Sequence, residues 1–176
     1  MQTGIPKALE TDRLCIRPYR PDDLAGLTLL LADEEVIRQT GLRENQTGQE
    51  VAAFFQVILN SYGTRYPVYA FALEEKGTGT VVGSCGYETV GDYGDVQVYY
   101  ALLPDCRGNG YAAEALERLI AFLLDDVGAR RVLAYTATDN TRSAALARRV
   151  GMELEKELSI NGRPSLMYAI CPAEEG

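Results

Sequence analysis

The segment with the clearest chemistry covers residues 103–115 and reads LPDCRGNGYAAEA. It lies between a predicted strand and a predicted helix. Gly108 and Gly110 permit a positive φ angle and a close approach of the backbone to a ligand. The free N–H groups of the first helical turn then point to one spot at the positive end of the helix dipole, and Arg107 adds a charged donor. These residues predict a site for a phosphate or pyrophosphate group.

Residue spacing leaves three interpretations of this loop open. In the first, the glycines only make a tight turn between strand and helix. In the second, Gly108-x-Gly110-x-x-Ala113 is a dinucleotide fingerprint, which requires an acidic residue about 20 positions further on, at the end of the next strand. The next predicted strand ends only near Asp139, and hairpins precede the loop, so this pattern fits poorly. In the third, the loop binds the pyrophosphate of coenzyme A.

The residue inventory excludes several kinds of catalytic site. The chain has no histidine, which excludes Ser-His-Asp and Cys-His catalysis and any His-ligated metal or haem. The cysteines at 15, 85, 106 and 171 form no CxxC pair, so no zinc or iron–sulfur site is expected and no metal is assigned. Their wide spacing in a mostly apolar chain is typical of reduced core residues in a cytosolic protein.

Charge and hydropathy limit the classes of partner that this chain is expected to bind. The 17 basic and 25 acidic residues give a net charge of −8. A nucleic-acid groove needs a basic stripe, so no nucleic-acid partner is expected, whereas an acidic balance suits a cationic substrate such as an amine. The N-terminal segment does not resemble a signal peptide, and no apolar run reaches membrane-spanning length. We therefore expect a cytoplasmic protein with no membrane partner.

Hydrophobic periodicity predicts a mixed series of strands and helices that positions these residues. The predicted strands cover residues 13–19, 68–74, 80–87, 96–103, 131–138, 153–158 and 164–171. The predicted helices cover residues 21–32, 33–39, 48–62, 111–126 and 141–150. The early strands form antiparallel hairpins, and the strands at 96–103 and 131–138 flank a helix and should be parallel neighbours. The fold class is α/β (α+β), and residues 1–176 form one domain.

Several motifs resemble one known family. Arg107-x-x-Gly110-x-Ala112 resembles the Q/R-x-x-G-x-G/A motif of the GNAT superfamily of N-acetyltransferases. Four further motifs are similar, in order, to its RimJ/RimL-like branch, the ribosomal-protein-alanine acetyltransferases. They are Thr11-Asp12-Arg13-Leu14-x-Ile16-Arg17, Val82-Gly83-Ser84-Cys85-Gly86, Gly110-Tyr111-Ala112-x-Glu114-Ala115, and Asn140-x-x-Ser143 followed by Gly151-Met152. The resemblance covers a core of about residues 9–170.

The resemblance implies a fold and a co-substrate. The GNAT fold has a mixed, mostly antiparallel central sheet with a splayed parallel pair and flanking helices, and acetyl-CoA would place its pantetheine arm between the splayed strands. Backbone groups of Ala101, Leu102 and Leu103 would line the arm and hold the thioester. Asn140 would hydrogen-bond the pantetheine amides, or it is only the N-cap of the helix at 141–150. The pyrophosphate would lie on the N–H groups of Arg107, Gly108, Asn109, Gly110, Tyr111 and Ala112.

The implied reaction is direct attack of an amine on the acetyl carbonyl in a ternary complex. A backbone N–H on the segment Leu102–Leu103 would stabilise the oxyanion. Many members have a tyrosine general acid seven residues after the asparagine, but Ala147 stands there in this chain. Ser143 matches the proposed acid of the RimL-like branch. Its hydroxyl either hydrogen-bonds the leaving thiolate and relays a proton, or Ser143 is a small residue that packs near the coenzyme.

The sequence leaves several candidates for the general base that deprotonates the amine. Many members carry glutamate at the second position of the fourth strand, where this chain has Gln97. Glutamine takes no proton, although it can orient a water that does. The carboxylates considered are Glu88, at the end of its strand, and Glu157, before the hairpin turn at 161–162. The alternative for each is a solvated surface charge, and a solution amine deprotonated through water needs no dedicated base.

Two functions from different classes follow. One is an acetyl-CoA-dependent N-acetyltransferase acting on a primary amine, either a protein N-terminus or a small molecule. The other is a CoA-binding sensor or scaffold without catalysis, which Gln97 and Ala147 suggest. A homodimer is left open.

Two sets of side chains allow two interpretations each. The first set either meets the ribose phosphate or forms a solvated helix face, and consists of Arg142, Arg148 and Arg149. The tyrosines that either line an acceptor pocket or pack as half-buried strand residues are Tyr62, Tyr66, Tyr69, Tyr87, Tyr93, Tyr99 and Tyr100.

Overall fold

One eight-stranded sheet organises the fold, which a computed structural model describes over residues 5–40, 43–91 and 94–173. The strand order is β1-β2-β3-β4-β5-β6-β8-β7, and every neighbouring pair is antiparallel except β5 and β6. The predicted mixed, mostly antiparallel sheet with one parallel pair is confirmed. The strands are β1 (Leu9–Glu10), β2 (Leu14–Pro18), β3 (Ala70–Glu75), β4 (Thr80–Val90), β5 (Asp95–Leu102), β6 (Arg131–Ala137), β7 (Glu153–Ile160) and β8 (Arg163–Ile170).

Helices cover both faces of this sheet. The helices are α1 (Leu24–Ala32), α2 (Glu34–Thr40), α3 (Gly48–Ser61), α4 (Tyr111–Ala121) and α5 (Thr141–Arg149). One apolar core lies between the sheet and α4 and α5, and a second lies between the sheet and α1, α2 and α3. The residues after α4, Phe122–Asp126, continue it with wider π-helical geometry. No helix within the described residues is long and apolar enough to span a bilayer.

The structure departs from the sequence predictions at two strands and at one cysteine. Strand β1 was not predicted, because two residues give no readable periodicity. Strand β4 continues to Val90 because its last residues pair with the start of β5. The cysteines are all free, but only Cys85 is buried and Cys171 is exposed. The prediction that all four are core residues was therefore wrong for Cys171, which follows the last strand.

The parallel pair separates along its length. Strands β5 and β6 share only three residue pairs, from Asp95↔Arg131 to Gln97↔Leu133. Beyond them β5 stays paired with β4 and β6 with β8, so a gap opens between the two strands. The Asp95 carboxylate fixes the closed end, because it binds Arg131 at 2.7 Å and Arg130 at 2.8 Å. The splayed pair implied by the family resemblance is thus present.

A buried ion pair joins the end of β2 to the turn that starts α1. The Arg17 guanidinium donates to both oxygens of Asp23, at 2.7 and 2.9 Å, and also contacts Glu74 on β3 at 2.6 Å. Arg17 is 4% exposed and Asp23 is 7% exposed. Burial raises the pKa of Asp23, but the hydrogen bonds from Arg17 and from the Arg20 N–H, together with the charges of both arginines, outweigh it and leave that pKa below its ordinary value. This contact orients α1, and through it one wall of the gap.

Candidate active site

An open cleft of about 830 Å³ lies at the gap between β5 and β6. The side chains of β5 alternate between the two faces of the sheet, so they line the cleft on both faces. Val98 and Tyr100 face the core under α4 and α5, whereas Ala101 faces the core under α1, α2 and α3. The cleft therefore passes through the sheet and has one side on each face. We call the first the α4–α5 side and the second the α1–α3 side.

The loop before α4 leaves a row of backbone donors free. Gly108 has φ 78° and Gly110 has φ 83°, both in the left-handed region that favours glycine. The N–H groups of Cys106 and Arg107 close a short turn onto Leu103 and Pro104. Among the described residues, no hydrogen bond uses the N–H groups of residues 108–112. Because no side chain caps α4, its positive end is open to an anion, as the sequence predicts.

Arg13 clamps this loop from the other end of the chain. Its guanidinium binds Glu114 in the first turn of α4 at 2.7 Å and donates to the Asn109 carbonyl at 2.9 Å. It also lies over the Tyr111 ring, 4.7 Å from the centroid. The Thr11 hydroxyl donates to the same Glu114 carboxylate at 2.5 Å. The two motifs that contain Thr11 and Glu114 therefore form one contact that holds the loop and the start of α4.

The Arg107 side chain turns away from the open loop. Its guanidinium pairs with Asp33 at 2.5 Å and with Glu35 at 2.8 Å, and its Nε donates to the Leu102 carbonyl at 3.2 Å. Glu35 also binds Arg142 on α5 at 2.5 Å. The charge predicted to meet an anion is thus engaged by two carboxylates. Arg107 joins the loop to α2 and to the end of β5 instead.

Strand β5 presents alternate peptide groups to the gap. The Leu103 N–H donates to Val82 at 2.9 Å, so it points to β4. The N–H and C=O groups of Leu102 point the opposite way, because successive residues of an antiparallel strand direct these groups to opposite sides. The Leu102 carbonyl accepts from Arg107 on that side. By the same alternation, the N–H and C=O groups of Tyr100 point into the gap, whereas those of Ala101 point to β4. The gap therefore meets backbone groups of Leu102 and Tyr100.

A three-residue polar network lies at the inner end of α5. The side-chain Oδ1 of Asn140 accepts from the Ser143 N–H at 3.1 Å, which makes Asn140 the N-cap of this helix. Its amide donates to the Ser143 hydroxyl at 2.9 Å, and that hydroxyl lies 2.9 Å from the Tyr100 hydroxyl. Burial raises the pKa of Tyr100, which keeps its phenol protonated, although the Ser143 contact acts in the opposite direction. Ala147 lines the same part of the cleft.

The carboxylates considered as bases lie in different places. Glu88 and Gln97 are direct cross-strand partners on β4 and β5, and both line the cleft. Glu157 is exposed on the edge strand β7 and is not part of the cleft lining. The structure brings Gln97 and Glu88 together and keeps Glu157 apart from them.

The predicted tyrosine set divides into two groups. Tyr99 and Tyr100 line the cleft, together with Tyr19, Tyr135 and Tyr168, which were not singled out from the sequence. The rest of the set with described positions pack or are exposed away from it: Tyr62, Tyr66, Tyr69 and Tyr87. Tyr93 lies outside the described residues. Thr136 and Tyr168, both in the cleft lining, have buried hydroxyls that meet no hydrogen-bond partner in the part of the chain that the structure describes.

Two features of the site were missed at the level of sequence. The pairing of Tyr100 with Ser143 joins residues 43 positions apart, and nothing local marks it. The clamp from Arg13 to Glu114 had a signal, since both residues stand inside motifs that resemble the same family. The two motifs lie about a hundred residues apart, and spacing alone does not show which side chains meet.

Comparisons with known proteins agree with this geometry. The model of the acetyltransferase (GNAT) domain matches residues 13–153. The uncharacterized N-acetyltransferase YoaA of Bacillus subtilis (strain 168) is 24% identical over 174 residues, covering 95% of this chain and 98% of that protein. A GNAT-family acetyltransferase structure from Bacillus anthracis superposes with a TM-score of 0.82 at 19% identity, over 93% of this chain and 98% of the other.

A further structure comes from Vibrio cholerae and is described as a candidate ribosomal-protein-serine acetyltransferase. It has a TM-score of 0.78 at 21% identity, over 97% of this chain and 100% of that one. At these identities the structural likenesses show the fold, and the domain match shows the family. The chain belongs to the acetyltransferase (GNAT) family.

Proposed function

We propose that this GNAT acetyltransferase uses acetyl-CoA to acetylate a primary amine by direct attack in a ternary complex. One observation carries the proposal. The free N–H groups of residues 108–112 stand at the uncapped start of α4, in the loop that joins β5 to α4, and both of these elements contribute residues to the cleft that opens between β5 and β6. A pyrophosphate suits the first feature, and an extended arm that ends in a thioester suits the second.

The coenzyme would enter from the α4–α5 side. Its pyrophosphate would accept from the N–H groups of Gly108, Asn109, Gly110, Tyr111 and Ala112. The pantetheine arm would run beside β5 and meet the peptide groups of Tyr100 and Leu102, which take no partner from β6. The amide of Asn140 is already engaged with Ser143, so its predicted contact with the arm would require exchange of that bond. The unpartnered hydroxyls of Thr136 and Tyr168 offer further hydrogen bonds there.

The acetyl carbonyl needs a donor for its developing negative charge. Of the two N–H groups in the predicted segment, that of Leu103 is bonded to Val82. The N–H of Leu102 points into the gap, and we assign it the oxyanion contact. In the same step the nitrogen–carbon bond forms and the carbon–sulfur bond breaks, so the sulfur leaves with the bonding electron pair.

The leaving sulfur needs a proton, and the amine must lose one. Tyr100 and Ser143 lie in hydrogen-bond contact on the coenzyme side of the cleft. We assign them the proton for the sulfur: Ser143 donates to it and is reprotonated by Tyr100, which regains its proton from solvent. On the opposite side, Gln97 orients a water that passes the proton of the amine to the Glu88 carboxylate, which releases it to solvent. Tyr100 thus fills the role left open by Ala147.

The direct test combines calorimetry with a thiol-release assay. We expect saturable binding of acetyl-CoA, and release of CoA only when an acceptor amine is added. Absence of binding at high micromolar acetyl-CoA contradicts the proposal. Binding without release across peptide N-termini, alkylamines and polyamines favours the alternative of a CoA-binding sensor, which the glutamine at position 97 supports.

The clamp on the loop provides a test of the pyrophosphate site. Arg13→Ala removes the contacts to Glu114, Asn109 and Tyr111, so the loop must be ordered by the coenzyme itself. We expect KM for acetyl-CoA to rise about tenfold, or about 1.4 kcal/mol, with kcat nearly unchanged. Arg65→Ala is the control, because Arg65 is exposed and its one interaction among the described residues is with the Tyr66 ring. An unchanged KM in the Arg13 variant would show that the clamp does not order a binding loop.

A further inference from the structure

The α1–α3 side of the cleft, where the acceptor would enter, has an apolar wall. Leu27, Leu30 and Ile58 belong to the buried core of that face and line the cleft. Phe54 on α3 and Tyr99 on β5 complete the wall and remain 45% and 38% exposed. The Tyr99 ring lies against Gly86, where a Cβ would fall 2.4 Å from its hydroxyl. A glycine on β4 therefore makes room for this aromatic surface.

Charge is scarce within the cleft. Among the described residues that line it, Glu88 is the only acidic side chain and Arg163 is the only basic one. The Arg163 guanidinium is engaged by Asp139 at 3.1 Å and by the Arg38 carbonyl at 2.6 Å. The net charge of −8 is therefore not concentrated here. A ligand in this cleft meets one carboxylate and an apolar wall.

We infer that the acceptor is a primary monoamine carried on an apolar alkyl or aromatic body. This inference rests on the proposed function and names its substrate class. Glu88 attracts the single ammonium group to the place opposite Gln97, and the wall of Phe54 and Tyr99 covers the apolar body. A diamine or polyamine would have to place its second ammonium against that wall without a carboxylate, which costs free energy of desolvation.

The experiment compares two amines with the same carbon chain. Hexylamine and hexamethylenediamine are titrated by calorimetry into the protein saturated with CoA, so that binding is measured without turnover. We expect hexylamine to bind at least about tenfold more tightly. Phenethylamine and a peptide with an N-terminal phenylalanine carry the same chemistry, and comparing them distinguishes a small amine from a protein N-terminus as its source.

A pair of variants on α3 provides the matched control. Phe54→Glu adds a carboxylate to the wall at a half-exposed position, and we expect the preference for hexylamine to fall to about one. Val57→Glu adds the same charge one turn away on the same helix, where Val57 is 57% exposed and outside the cleft lining. It should leave the ratio unchanged.

The failure of this inference differs from the failure of the proposed function. Equal or tighter binding of the diamine overturns the inference, as does absence of binding of either amine to protein that binds CoA. Both results leave acetyl-CoA dependence intact. If the protein does not bind CoA, the proposed function fails and no acceptor is left to assign, so the CoA titration separates the two failures.

Discussion

Replacing Tyr100 by phenylalanine is expected to lower kcat about a hundredfold with little change in KM for acetyl-CoA. The substitution keeps the ring in its core position and removes only the hydroxyl that meets Ser143. A thiolate that leaves without a nearby proton donor raises the barrier of the chemical step, whereas coenzyme binding depends on other residues. Steady-state thiol release over a range of acetyl-CoA concentrations separates the two constants.

A double-mutant cycle distinguishes proton relay from packing. If Tyr100 acts through Ser143, the double variant Tyr100→Phe, Ser143→Ala should be no slower than Ser143→Ala alone. Tyr66→Phe is the control, because Tyr66 is 79% exposed and lies outside the cleft lining. Additive losses in the double variant would contradict a shared relay, and full activity of Tyr100→Phe would remove Tyr100 from the mechanism.

Replacing Asp23 by asparagine is expected to lower the free energy of unfolding by about 3 kcal/mol. The change keeps the shape of the side chain but leaves the Arg17 guanidinium with only Glu74 as a charged partner. A buried cation that loses its main carboxylate retains its desolvation cost. Denaturation in urea measures the loss, and Asp22→Asn, at the exposed neighbouring position, should change stability by less than about 0.5 kcal/mol.

The Arg17–Asp23 ion pair also predicts how the free energy of unfolding depends on pH. The pKa of Asp23 is lower in the folded protein than its ordinary value of 3.8. Its contribution is therefore complete above the unfolded pKa and is lost as the pH falls through the lower, folded pKa. Between neutral pH and the unfolded pKa, the difference in stability between wild type and Asp23→Asn should stay constant. As the pH falls further, through the folded pKa, the difference should shrink. A difference that grows on acidification would contradict this assignment.

The parts of the fold that the sequence predicts are those that depend on local pattern. Helix α4 and its loop follow from glycines at a strand end and an apolar stripe, both within twenty residues. The gap between β5 and β6 came from the family resemblance, since periodicity shows two strands but not where their pairing stops. Strand β1 was missed because its two residues exist as a strand only through pairing with β2.

Side-chain partners far apart in sequence account for most of what was missed at the site. Arg107 was expected to face an anion, but its partners Asp33 and Glu35 lie more than seventy residues earlier. Nothing near Arg107 in the sequence marks these carboxylates as its neighbours. Glu157 was weighed as a base because it precedes a hairpin, yet the pairing of β7 with β8 places it on the sheet edge. Topology decides such questions, and residue type does not.

The separation of β5 and β6 has a consequence for handling the protein. Beyond Gln97 and Leu133 the facing sides of the two strands have no partner strand, and strand edges of this kind are templates for pairing with another chain. Here the two edges face each other across the open cleft, where an extended peptide segment meets backbone groups of both strands. We therefore expect the protein to aggregate less readily when a ligand fills the gap.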